Sequence, residues 1–251
     1  MPDVDGGEMP FLDHLEELRW RLIWSVGAIL VGAVAGFFLV THLDVIGLLA
    51  RPIRGLLPED RLLYTSPTTP IMVTLKLSAV VGIILALPVI AHQGWKFVAP
   101  ALYEHEKKTM IPAIGVSFLL FLAGIAMAYF LVLPVGLKFL LGFQAEALNP
   151  IITIDEYLRF ATRLILAFGL IFEMPVVMTA LAFMGVLDGS ELREYRRHAI
   201  VIMAAGAAFL TPADAGTMLM MLAPTWLLYE LSIVLAAWTA RRRFGRTASG
   251  E

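Results

Sequence analysis

The chain has 251 residues, of which 59% are hydrophobic and 16% charged, with a mean hydropathy of +0.80. That balance excludes a water-soluble domain of ordinary composition and makes this an integral membrane protein. The net charge of -2 says nothing as a total, and the absence of cysteine excludes disulfides, thiolate nucleophiles and Cys-based metal sites.

Residues 1–9 and 247–251 are expected to be flexible tails. The first 21 residues hold acids and arginines but no apolar core, so a cleavable signal peptide is not expected. In FLDHLEELRWRL, residues 11–22, Phe11, Leu15, Leu18 and Leu22 recur at helical spacing, which predicts an amphipathic helix lying at the membrane interface. Its acids have two readings. Glu17 pairs with Arg21 at i,i+4 and Glu16 with Arg19 at i,i+3, or acids kept on a basic membrane face bind something cationic.

The first apolar segment covers 22–40 and includes GAVAG at 32–36, a small-xxx-small pattern read as helix packing. Segment two, 71–91, carries Lys76 near its start, and segment three covers 110–133. Segment four, 164–187, contains Glu173, with Pro175 expected to bend the helix and with Gly169 and Ala180 on the same face. Segment five, 199–210, has 12 residues, about 18 Å of helix, too few for a core of roughly 30 Å. Segment six, 218–238, is interrupted by Pro224 and contains Glu230, so a short usable helix is expected there too. The prolines between segments one and two predict short helices forming a cap.

Twelve Lys and Arg flank the segments on the side of the N-terminus and six on the other, which predicts both termini in the cytoplasm. Trp20, Trp24, Trp95 and Trp238 fall near the cytoplasmic ends as an interfacial belt.

In GWKFVAPALYEHEKK, residues 94–108, Glu104 and Glu106 either serve the dipole of a helix opened by Pro100 or converge with Glu17 on one patch. Two carboxylates suit two guanidinium groups, because Arg offers a planar fork and Lys does not. HEKKT lacks the second His of a zinc helix, and no cofactor is expected. A carboxylate at mid-membrane costs several kcal/mol unless it is protonated, paired or wet, so Glu173 demands compensation: a salt bridge to Lys76, or a water-filled groove with a function. Glu230 needs the same accounting, with a partner from this chain or another.

HLEELRWRL, LPVIAHQGWKFVAPALYEHEKK, FGLIFEMP and LTPAD, in that order, resemble the TatC family, the signal-peptide receptors of the bacterial twin-arginine protein translocase. The resemblance runs from about Phe11 to Trp238. It implies an all-α fold of six transmembrane helices in a cupped, glove-like bundle with short fifth and sixth helices, in the bacterial cytoplasmic membrane, and no enzymatic activity. It implies that Glu17 and Glu106 receive the paired arginines of a signal peptide, with Arg19, Phe97, Pro100, Leu102 and Tyr103 around them. Glu173 would face a groove for the peptide's apolar part and for the single-helix partners TatA and TatB, in a complex holding several copies of the chain. Asp214 matches an outer-face acid, although Ala213 stands where the family has a second proline, and Glu104 makes the patch more acidic. The competing function is a proton-coupled small-solute transporter using Glu173, Glu230 and Lys76 as a relay.

Overall fold

The structure is a computed structural model and describes residues 11–56, 62–99, 110–142, 151–187, 189–210 and 215–247. In chain order the helices are α1 (Phe11–His42), α2 (Val45–Arg54), α3 (Thr69–Val98), α4 (Met110–Met127), α5 (Leu133–Gly142), α6 (Ile154–Phe172), α7 (Met174–Met184), α8 (Gly189–Glu194), α9 (Arg196–Leu210) and α10 (Ala215–Thr247). A π-helical segment, Ala128–Val132, joins α4 to α5. Among the described residues the fold is almost entirely helical, and five stretches are long and apolar enough to cross a membrane: Leu15–His42, Thr69–Val98, Pro112–Gly142, Ile154–Met184 and Gly216–Thr239.

The amphipathic stretch 11–22 is not a separate surface helix. With no Gly or Pro between residues 11 and 26, it continues without a break into the first apolar segment, so α1 is 32 residues long, about 48 Å. α1 and α3 run antiparallel in close contact. A Cβ at Gly32 would stand 2.5 Å from the Gly82 carbonyl oxygen, and one at Gly36 would stand 2.5 Å from that of Ser78. The GAVAG pattern is therefore a packing seam, in which small residues let two backbones approach.

Segment three extends past its expected end at 133, through the π turn, to Gly142. Pro134 has no N–H to give a carbonyl one turn back, and its ring crowds that carbonyl. The wider turn absorbs the mismatch, with the Leu133 N–H reaching the Ala128 carbonyl five residues earlier. Segment four begins earlier than its apolar run, because Thr153 caps α6 by accepting from the Glu156 N–H at 3.4 Å. It then divides at Glu173, since Pro175 cannot donate to the Ile171 carbonyl. α7 ends on Gly185, whose φ of 75° a side-chain-bearing residue rarely adopts.

α9 has 15 residues, about 22 Å, too short to cross an undistorted bilayer core of roughly 30 Å. α10 departs from expectation: it continues through Pro224, and its apolar stretch covers 24 residues. Beside the proline, the buried Thr225 hydroxyl donates to the Met221 carbonyl at 2.7 Å.

Among the described residues the core forms two clusters. The larger, around Leu77, Leu133, Leu164 and Phe168, lies toward the end of the bundle that carries α2, which adds Ile53 and Leu49 to it. Tyr129 and Tyr157 donate their hydroxyls to the Leu48 and Leu49 carbonyls, tying α2 down as a cap. The smaller cluster joins Ala182, Leu192, Tyr229, Ile233 and Ala236 toward the other end. Glu173 falls between them, since Ile171 and Phe172 pack on the first cluster and Met174 on the second.

Candidate functional site

Glu17 stands on the second turn of α1 facing α3. It accepts from two nitrogens of Arg21, Nε at 3.1 Å and Nη2, while Arg21 Nη1 donates to Gln93 Oε1 on α3 at 3.3 Å. The Glu17 and Arg21 side chains are only 20% and 22% exposed, so this pair is more sheltered than an ordinary surface i,i+4 bridge. Around it opens a cleft of about 570 Å³ lined also by Trp20, Trp24, His92 and Lys96. Trp20 and Trp24 are exposed, and their ring faces suit a cation. Arg19 lies exposed on the same helix. α3 ends at Val98, five residues beyond Gln93, so the chain enters residues 100–109 at the Glu17 end of the bundle. Pro100, Leu102, Tyr103, Glu104 and Glu106 lie outside the described residues, as does Asp214.

The second constellation is intramembrane. Glu173 is half-buried at the α6/α7 break, and one carboxylate oxygen accepts from the Ser117 hydroxyl of α4 at 2.7 Å. The other oxygen, Oε1, is buried with no hydrogen-bond partner among the described residues. Both side chains line a cavity of about 290 Å³ that also takes in Phe97, Trp95, Val176 and Ala180. The structure thus brings Phe97, from the end of α3, into one hollow with Glu173. Gly169 does not line it. That glycine is covered from α4, where an added Cβ would come within 2.7 Å of the Phe121 ring. A neighbouring apolar cavity of about 310 Å³ shares Trp95 and Val176 and reaches Trp238.

Two expected members of this groove stand elsewhere. Lys76 is not the partner of Glu173: its Nζ lies 2.7 Å from Asp155 at the α2 end, where Arg159 holds the other Asp155 oxygen at 2.7 Å. The α1–α3 and α4–α6 packing sets that register, carrying Lys76 to the first turn of α6 and not to its last. Glu230 is paired within the same chain, with Arg196 at 2.7 Å. A relay through Glu173, Glu230 and Lys76 therefore has no shared site, and the transporter reading falls. Trp95 is likewise not in an exposed belt: it is 7% exposed, whereas Trp20, Trp24 and Trp238 are open.

Sequence reasoning missed Ser117 and Gln93. Ser117 had a faint signal, a lone hydroxyl in an otherwise apolar run. Gln93 had none, because its role depends on α1 lying beside it.

Together these features define a polytopic helical membrane protein with a sheltered carboxylate at one end and a largely apolar hollow inside that holds Glu173 and Ser117. The family model described as "Sec-independent protein translocase protein (TatC)" matches residues 13–224. The TatC protein of Aquifex aeolicus is 42% identical over 237 residues, covering 94% of this chain and 98% of that protein. That of Desulforapulum autotrophicum is 38% identical, covering 96% and 87%. A solved structure titled "Crystal Structure of Twin Arginine Translocase Receptor- TatC" superimposes with a TM-score of 0.81 at 43% identity, covering 91% of this chain and 100% of that one. The chain belongs to the TatC family of Sec-independent protein translocase proteins, and it is a multi-pass protein of the inner membrane.

Proposed function

We propose that this chain is the receptor and core subunit of a twin-arginine protein translocase. It binds the Arg-Arg signal peptide of folded cargo at the cytoplasmic face and nucleates assembly with TatA and TatB for export driven by the proton-motive force. The observation that carries the reading is Glu17, held in an aromatic-walled cleft at the end of the bundle where α3 leads into the segment containing Glu106. Carboxylates on two separate elements match two neighbouring guanidinium groups, each of which offers paired donors that an ammonium lacks. A relative 43% identical to this chain is titled a twin arginine translocase receptor, which supports the same reading.

In this proposal Arg19, Phe97, Pro100, Leu102 and Tyr103 shape the patch around Glu17 and Glu106. The Glu173 hollow receives the apolar part of the signal peptide or a TatA or TatB helix, and Asp214 lies in the turn on the outer face. The chain is a single transmembrane domain crossing six times, with α9 as the short fifth span, both termini cytoplasmic, and more than one copy in the receptor complex.

The test uses the detergent-solubilised chain and a labelled peptide carrying Arg-Arg before a short apolar run. Replacing Arg-Arg by Lys-Lys, or introducing Glu17→Gln or Glu106→Gln, is expected to weaken binding at least about tenfold, the loss of one charge-assisted bidentate contact. Equal affinity for the two peptides would end the receptor reading.

A further inference from the structure

We infer that Arg21 is a built-in competitor for the signal-peptide site: its guanidinium occupies Glu17 and must move toward Gln93 before an incoming arginine can bind. The inference rests on the receptor reading and adds a threshold to it.

The geometry supports this step by step. Arg21 spreads its three nitrogens over two helices, Nε and Nη2 on Glu17 of α1 and Nη1 on Gln93 of α3. The carboxylate that the proposed ligand requires therefore already holds the same chemical group, presented intramolecularly from one helical turn away. An ordinary i,i+4 pair on an exposed face adds only a few tenths of a kcal/mol and exchanges freely with water. This pair is about four-fifths buried, so solvent weakens it less. The contact to Gln93 is long and neutral at its acceptor, which makes it a weaker perch than Glu17 but one within reach. A guanidinium leaving Glu17 thus retains a hydrogen-bond partner at the wall of the same cleft.

Competition of this kind has a defined signature. When only a fraction of molecules has Glu17 accessible, every ligand that needs Glu17 loses affinity by that same fraction. Arg21 then lowers the affinity of arginine and lysine peptides alike. The ratio between them is untouched, while the weaker binder drops below useful occupancy. A residue that merely positions Glu17 behaves oppositely, since its removal weakens binding.

The experiment measures anisotropy of labelled Arg-Arg and Lys-Lys peptides on the full-length detergent-solubilised chain. Arg21→Gln is expected to tighten both about tenfold, about 1.4 kcal/mol, with their ratio unchanged. Gln93→Leu removes the perch and should weaken both, whereas Gln93→Glu strengthens it and should tighten both. Thermal unfolding checks that each variant is folded. If Arg21→Gln does not fold, Gln93→Glu decides. Weaker or unchanged binding in a folded Arg21→Gln or Gln93→Glu chain overturns the competitor. Failure of the unaltered chain to bind the Arg-Arg peptide overturns the receptor reading instead, and this inference with it.

Discussion

Glu173 illustrates how a single residue is kept against its own energetics. One carboxylate oxygen has Ser117 and the other has no partner among the described residues, in a setting where unsatisfied polar atoms are costly. Removing only the donor, in Ser117→Ala, should destabilise the protein by about 1–3 kcal/mol, because the carboxylate then stands without that hydrogen bond. Removing both, in Ser117→Ala/Glu173→Leu, should restore or exceed the original stability, since an apolar pair of similar shape carries no desolvation debt. Export assayed in cells should nevertheless be lost in the double variant. Thermal unfolding in detergent measures the first two effects, and a double variant that is both less stable and export-competent contradicts the argument.

At the scale of elements, the bundle is assembled by close backbone approaches. At Gly82 an added Cβ would stand 2.6 Å from the Cα of Ala33, a distance that side-chain rotation cannot relieve. Gly82→Val should therefore force α1 and α3 apart and cost about 3 kcal/mol or more. Gly27→Ala, on the partner helix α1 and with open space around it, should be neutral or favourable by up to about 1 kcal/mol. Comparable losses in the two variants would mean that α1 is not seated on α3 as described. Proline acts at this scale with three outcomes: Pro134 is absorbed by a π turn, Pro175 splits a helix, and Pro224 is passed without a break. The sequence flags Pro175 and Pro224 inside their apolar runs, whereas Pro134 falls just past the expected end of segment three. At Glu173 the chain parts where two separate clusters hold its halves, while α10, which meets the same two clusters through Met221 before Pro224 and Tyr229 after it, stays continuous.

For the whole molecule, the absence of cysteine makes orientation directly measurable. Single cysteines at Lys96 and at Tyr64, both exposed and on opposite ends of the bundle, should react differently with a membrane-impermeant maleimide on intact cells. With the Arg-rich end inside, Tyr64→Cys is labelled from outside and Lys96→Cys only after lysis. The reverse pattern would place Glu17 and its cleft on the side where cargo is not made, and the receptor proposal would fail with it.

Composition and periodicity alone determined that this chain is a helical membrane protein, where its apolar runs lie and which end gathers positive charge, and four motifs added its resemblance to TatC. Those are properties of neighbouring residues, and helix formation in lipid obeys them locally because each segment must satisfy its own backbone. The partners of its charged groups were decided only in three dimensions. Lys76 meets Asp155 across 79 positions, Ser117 meets Glu173 across 56, and Arg196 meets Glu230 across 34. Each pairing depends on the depth and rotation at which whole helices settle against one another. Glycine contacts and apolar packing set that register, and the ionic partners follow from it.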